Sequence, residues 1–373
     1  MPIKRIGMIN MFRTTHYKRL AAALTAACVL LASSCGGNEQ PADTSVTAEV
    51  TTVPPETTTT TRTTMAPIIT TTTTTTLPPL TPMTADVPGE HSDYGDSKTY
   101  EDFYNVNNDM IGWINIEIPG EEDINEPVVQ YEDNKYYLTH DFYGKEVKEG
   151  AIFADYKCKF TTRTRPANIV LYGHNMASGK SFAKLTRYCV WNNSKITGQR
   201  LGISQYVASP TITFDTIWEK GTYKVFAAIF VNTETKNGSV FQYYKQRKIP
   251  NEAQFFDYIG NIMDRSMICT DVDLEYGDEL LTLSTCYYPL GKENADTRFV
   301  VFARRVREGE STEVDTSKAY ENPSPLYFDY YYTVRGGSWG GRNWDTSKVK
   351  GFDEYVKAKE AEQAAAAAAA PTA

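Results

Sequence analysis

The chain has 373 residues, 41% of them hydrophobic and 23% charged, with a formal net charge of −8. That acidic balance excludes a surface built to neutralise nucleic-acid phosphates. The length could hold two domains, but a long Thr- and Pro-rich stretch has nothing to bury and adds no core.

Residues Lys4 to Arg19 are basic and contain no acid, and Leu20 to Ala32 form a short apolar run ended by Ser33-Ser34-Cys35-Gly36. This is the layout of a secretory leader over residues 1–34. The run is short for a membrane-spanning helix, which needs about 20 residues. Leu31-Ala-Ser-Ser-Cys35 is similar to a bacterial lipobox, which implies a lipidated Cys35 as the mature N-terminus. The competing reading is an uncleaved anchor beginning near Tyr17. Both put the remainder outside the cell. Residues 35–91 follow, with Thr57 to Thr61 and Thr70 to Thr76 as their densest runs. Such a composition cannot offset ordering entropy and reads as a disordered stalk. It would reach about 150 Å if polyproline-like and about 40 Å as a flexible coil. Either span lifts a domain off the membrane into the wall, and the dense Thr permits O-glycosylation.

The globular part is expected over residues 92–308. Tyr100 to Asp109 reads as a short helix carrying Phe103, Tyr104 and Val106. Strand-like runs follow at 111–118, 126–131, 151–156, 169–172, 211–218, 222–231, 280–286 and 299–306. Eight strands with few long helices predict a mainly β fold, a closed eight-stranded barrel. Ser181 to Tyr188 fits a short helix. Glu252 to Met267 carries Phe255, Phe256, Ile259, Ile262 and Met263 at helical spacing and predicts an amphipathic helix. No repeat of 20 to 50 residues is present.

The chemistry gathers at strand ends. Leu280-Leu-Thr-Leu-Ser-Thr-Cys286 and Arg298-Phe-Val-Val-Phe-Ala-Arg304 read as two strands separated by a turn-rich stretch. Paired antiparallel, they set Cys286 opposite Arg298 at roughly 5 Å. Asn168 to Tyr172 runs into Gly173-His174-Asn175-Met176 and offers an imidazole at another strand end. A thiolate attacks an acyl carbon, an imidazole moves protons and a permanent cation steadies the oxyanion. These are the parts of a thiol transacylase. With ordinary pKa values near 8.5 and 6.5, thiolate and imidazolium would coexist in under roughly 1% of molecules at pH 7. The site must favour the pair or turn over slowly. Alternation points Thr282, Ser284 and Cys286 to one face and Leu281, Leu283 and Thr285 to the other, so Ser284 is expected beside the nucleophile on the substrate side. Cys158, Cys189 and Cys269 read as small buried hydrophobes, and at most one disulfide can join any two of them. His140 is the rival imidazole in the globular part. Arg304 has the parity of Arg298 but lies about 20 Å along the strand. The sequence has no paired-Cys, HExxH, calcium-loop or phosphate-loop pattern, so no cofactor or metal is expected. Gly336 to Arg342 reads as a flexible aromatic loop.

The same segments carry a family resemblance. Thr282-Leu-Ser-Thr-Cys286 resembles the sortase signature around the nucleophile. Leu171-Tyr-Gly-His174-Asn-Met resembles the histidine segment, and Arg298-Phe-Val-Val-Phe-Ala the arginine strand. The order His, Cys, Arg agrees. Pro127 to Leu138, followed by His140-Asp-Phe-Tyr-Gly144, is similar to the stretch before the third strand in class B sortases. The resemblance spans about Tyr100 to Val306. It implies a cysteine transpeptidase with His174, Cys286 and Arg298 as catalytic residues and an inserted helix before the cysteine strand. Asn134 and Leu138 would line the groove for a sorting signal. The substrate would be a surface protein cut at a Thr–Gly-type or Thr–Asn-type bond through a thioacyl intermediate. The acceptor would be an amine of peptidoglycan or a pilin lysine, at the outer face of a Gram-positive-type membrane. A lipobox departs from the family habit, as does the tail over 309–373, with Tyr327 to Tyr332 and an Ala run at 364–370. For that tail, a clasp on the barrel, a contact with the wall and disorder stay open. Two alternatives stand beside the transpeptidase. One is a cysteine peptidase using water, although papain-like and wall-peptidase families place Cys before His. The other is a non-catalytic surface lipoprotein displaying a binding barrel.

Overall fold

The computed structural model describes residues 81–89, 94–160, 164–191 and 202–369. The leader, Cys35 and the expected stalk up to residue 80 lie outside the described residues; its later part, 81–89, is packed on the barrel instead, with Val87 buried, the Met83 amide donating to Ile217 O and the Val87 amide to Lys98 O. Among those described, no helix is long and apolar enough to cross a membrane.

Eight strands close a barrel. They are β1 (Met110–Ile116), β2 (Ile124–Val129), β3 (Ile152–Ala154), β4 (Asn168–Tyr172), β5 (Thr211–Thr216), β6 (Thr222–Asn232), β8 (Leu280–Cys286) and β9 (Thr297–Arg305). Around the barrel they run β1-β2-β3-β4-β8-β9-β6-β5. The closed eight-stranded barrel expected from the sequence is present, with mixed pairing. β2/β3 and β4/β8 are parallel and the other pairs antiparallel. A small separate sheet joins β7 (Ile268–Cys269) to β10 (Tyr320–Glu321).

Period-two alternation builds two apolar layers. Inside the barrel, Leu281 and Leu283 of β8 meet Ile169 and Leu171 of β4 and Phe299 and Val301 of β9. Outside, Leu280, Val300, Phe302 and Phe226 are roofed by α3 (Glu252–Arg265) through Phe255, Ile259, Ile262 and Met263. This is the amphipathic helix ahead of the cysteine strand that the periodicity predicts. Asn251 caps it by accepting the Gln254 amide, an arrangement that typically contributes about 1 kcal/mol. The N-terminal helix α1 (Tyr100–Val106) starts with a capping box between Thr99 and Asp102. α2 (Ile203–Ala208) leads into β5, and Ala183–Tyr188 is a 3₁₀ segment.

The C-terminal extension packs on the barrel and on the helix that roofs it. β10 pairs with β7, and Asn322 donates from its amide to Met267 O and from its side chain to Ser266 O. Arg342 and Trp344 both bond the Asp264 carboxylate on α3. Phe352, at the start of α5 (Phe352–Ala369), is buried among the residues beneath α3. Earlier in the extension lies α4 (Asp329–Arg335), preceded by the buried Phe328. The glycine-rich segment over 336–342 has no regular structure and exposes Trp339.

Candidate active site

Register brings the thiol and the guanidinium together. β8 and β9 pair without a shift from Leu280↔Arg304 to Cys286↔Arg298, so the two residues face each other where β8 ends. Cys286 is half-buried. Arg298 donates from Nη1 to Asp296 Oδ1 (2.6 Å) and to Thr297 O (2.9 Å). Burial alone would lower the arginine pKa. The nearby Cys286 sulfur and the Asp296 carboxylate outweigh it and raise it, so this cation is fixed. Burial works on Asp296 in the opposite sense and is also outweighed, chiefly by Arg298, so its carboxyl lies below the usual range.

The imidazole arrives on the neighbouring strand. β4 runs parallel to β8 and ends with Tyr172 beside Ser284, two residues before β8 ends at Cys286. Beyond the ladder, the Gly173 amide donates to Ser284 O (3.2 Å), Thr285 Oγ1 donates to Gly173 O (2.8 Å) and Asn175 Nδ2 donates to Cys286 O (2.8 Å). His174 therefore sits between two residues that are both tied to the cysteine strand. Its backbone N–H is bonded to Ser181 Oγ (3.0 Å). Ser181 is the one non-glycine residue with positive φ among the described residues. His174 Nε2 lies 2.8 Å from Leu138 O. A carbonyl only accepts, so Nε2 carries a hydrogen and Nδ1 is the nitrogen left for proton exchange.

The expected groove residues are arranged less simply. Asn134 accepts the Tyr156 amide and donates to the buried Asp155 carboxylate, which also receives Tyr172 OH two residues before His174. Leu138 meets the site through its carbonyl, with its side chain partly buried against the cluster around Tyr137. Ser284 is on the same face as Cys286 but only 2% exposed, and its Oγ is 2.7 Å from Tyr243 OH. The face is roofed there by the β6–α3 loop, which the alternation argument could not foresee. His140 bonds Tyr136 O and stacks on the Tyr136 ring, 4.1 Å between centroids. Arg304 is fully buried and paired with Asp273 and Glu310 at the far end of β9. Cys158, Cys189 and Cys269 are all buried.

The sequence reading missed three residues. Asp296, two before Arg298, holds the guanidinium, and a carboxylate at that spacing could have flagged it. Asn175 was quoted only as part of the histidine segment. Tyr243 is pushed up to about 12 by burial first, with the Cys286 sulfur adding to it and Arg298 opposing, so it keeps its proton at neutral pH. No periodicity marked it. No group of acidic, His and Cys side chains fit for a metal occurs among the described residues.

A closed barrel with a thiol, a cation and an imidazole at adjoining strand ends has the equipment for thiol acyl transfer. The sortase domain profile matches residues 116–306, and the chain belongs to the sortase family. It is similar to sortase B of Listeria monocytogenes, 30% identical over 203 residues that make up 54% of this chain and 71% of that one. It is also similar to sortase B of Staphylococcus aureus, 28% identical over 187 residues, 50% of this chain and 67% of that one. A crystal structure of Staphylococcus aureus sortase B aligns with a TM-score of 0.46 and 27% identity, covering 56% of this chain and 86% of that chain. The protein is thus a sortase B-like cysteine transpeptidase that anchors surface proteins, in a family that binds sorting signals and acts at the cell envelope.

Proposed function

We propose that Cys286, His174 and Arg298 carry the transpeptidation. The observation behind this is the Cys286↔Arg298 register, with the His174 loop bonded to the carbonyl of Cys286 through Asn175. The Cys286 thiolate attacks the scissile carbonyl of a sorting signal at a Thr–Gly-type or Thr–Asn-type bond. Arg298 donates to the oxyanion. His174, protonated at Nδ1, gives that proton to the departing amine as the C–N bond breaks, and a thioester remains on Cys286. An incoming amine attacks the thioester, His174 takes its proton, and the C–S bond breaks to return the thiolate. Asn134 and Leu138 border the peptide path, Leu138 through its carbonyl on His174, while Ser284 lies beneath the β6–α3 loop and holds Tyr243 in place. The acceptor is a peptidoglycan cross-bridge or precursor amine, or a pilin lysine. A lipidated Cys35 and the Thr-rich stalk that follows it hold the domain, which takes in 81–89 ahead of 92 and carries the extension from 309, at the outer face of the membrane.

The deciding experiment offers a pool of sorting peptides, traps the acyl-enzyme and reads by mass spectrometry both the captured sequence and the modified cysteine. Products are then partitioned across concentrations of several amines. Acylation of Cys158, Cys189 or Cys269 in place of Cys286 overturns the assignment. Hydrolysis alone at saturating amine replaces transpeptidation with a water-using peptidase.

A further inference from the structure

The match to the sortase domain ends at residue 306, yet the extension beyond it reaches the surroundings of Cys286 by two routes. The first is aromatic. Tyr287 follows the nucleophile, and its ring lies 5.9 Å from Phe230 and 6.5 Å from Trp191. From the other side, Trp191 is stacked on Tyr331 of α4 at 5.3 Å with 13° between planes, and Phe328 packs on Phe230 at 5.4 Å. The extension thus closes a sandwich whose opposite face is the residue next to Cys286. Tyr287 is also bound to Thr297, the neighbour of Arg298. Its amide donates to Thr297 O (3.2 Å), and Thr297 Oγ1 donates to Tyr287 O.

The second route is polar. Gly238, in the β6–α3 loop, has φ +112°, and a Cβ there would lie 2.7 Å from the Asp329 carboxylate and 2.8 Å from its backbone nitrogen. That loop therefore rests directly on the first residue of α4. Its other end holds the cation's anchor. Glu234 accepts the Asp296 amide (3.1 Å) and the Asn237 side chain (3.1 Å), while Asp296 holds Arg298. One short helix outside the catalytic barrel therefore backs both the thiol strand end and the carboxylate that orients the guanidinium.

We infer that α4 of the C-terminal extension is a positioning element for transpeptidation, with Tyr331 and Asp329 as positioning residues that act through Tyr287 and Gly238. The inference rests on the catalytic roles proposed above. A misalignment of about 1 Å can cost about 100-fold in rate, so slackening one of two supports should cost less, roughly 10-fold.

Full-length Tyr331→Ala, Tyr331→Phe and Gly238→Ala are compared with wild type in steady-state cleavage of a sorting peptide, thermal melting and the pH profile of Cys286 alkylation. Expected for Tyr331→Ala are a roughly 10-fold lower kcat, KM within about two-fold, and an alkylation midpoint moved to higher pH as thiolate and guanidinium lose alignment. Tyr331→Phe, which keeps the stack, should return kcat to within about two-fold. Gly238→Ala should reproduce the kcat loss from the opposite side of the contact, and it decides alone if Tyr331→Ala does not fold. A folded variant with kcat and alkylation profile unchanged overturns the inference. So does a loss that follows only the fraction folded, or a change confined to KM. Failure of wild type to acylate on Cys286 strikes the proposed function instead, so the two failures are distinct.

Discussion

Arg298→Lys isolates what the forked guanidinium supplies, because charge and approximate length are retained. Nη1 is already committed, to Asp296 Oδ1 at 2.6 Å and Thr297 O at 2.9 Å, which leaves Nε and Nη2 to meet a developing oxyanion. A lysine has one nitrogen. If it stays on Asp296 the substrate oxygen loses its donor, and if it turns to the substrate the partly buried Asp296 carboxylate is abandoned. Loss of one oxyanion donor is worth about 2.7–4 kcal/mol, or about 10²- to 10³-fold in kcat. The folding cost should be small by comparison, about 1 kcal/mol for a weakened charge-assisted bond. The assay pairs steady-state cleavage of a sorting peptide with intact-mass detection of the acyl-enzyme and a thermal melt. The expectation is a folded protein that acylates slowly. His174→Ala should be slower still, since both half-reactions need the proton carrier. A folded lysine variant within about three-fold of wild type would show that charge alone suffices and would refute the forked-donor argument.

Gly173→Ala puts a methyl 2.7 Å from the Phe182 ring and 2.8 Å from Ser181 Oγ, the atom bonded to the His174 amide; turnover should fall roughly 100-fold, and an unchanged rate would mean the His174 loop is not position-critical. Glu310 is held below the ordinary carboxylate range by its Arg304 bond, and Asp273 and Asp296 by arginines that outweigh burial. Folded values below unfolded ones mean stability that is complete above about pH 4.5 and is lost as pH falls through the folded values. Melting temperature should therefore fall progressively as pH drops below about 4.5, less steeply in Glu310→Gln, and a flat profile in wild type refutes the linkage. Phe352→Ala empties a buried site against Gly260 and Trp344. It should cost about 3–5 kcal/mol in urea unfolding, and an unmoved midpoint would mean the extension lies outside the cooperative unit.

The barrel was legible because its strands are long runs of alternating or wholly apolar residues, and β8 matched the sequence reading from Leu280 to Cys286. β3 is three residues rather than six, since its partners β2 and β4 meet it over only two residue pairs each. β7 and β10 have two residues each, too few for any period. The extension resisted reading because its burial is set by distant partners, Asp264 and Gly260 on α3, and by no pattern of its own. Within the site, the Cys286–Arg298 pair followed from strand pairing alone. Tyr243 did not, because a loop residue some 40 positions upstream reaches Ser284 only after the chain has folded. The same holds for Leu138, whose chemical contribution is a backbone carbonyl that every residue type possesses.

The parallel seam between β4 and β8 also governs when the protein can become reactive. Asn175 and Cys286 are 111 residues apart in sequence but joined by a hydrogen bond. Pairings of such long range form late, because loop-closure entropy precedes any reward from contact. During synthesis the imidazole emerges well before the sulfur, and the guanidinium after both. No fragment ending before Arg298 owns all three groups, and none assembles them without closing the cylinder. If these three groups carry the chemistry as proposed, a nascent or partly unfolded chain lacks the assembled site, and competence is acquired together with the finished fold.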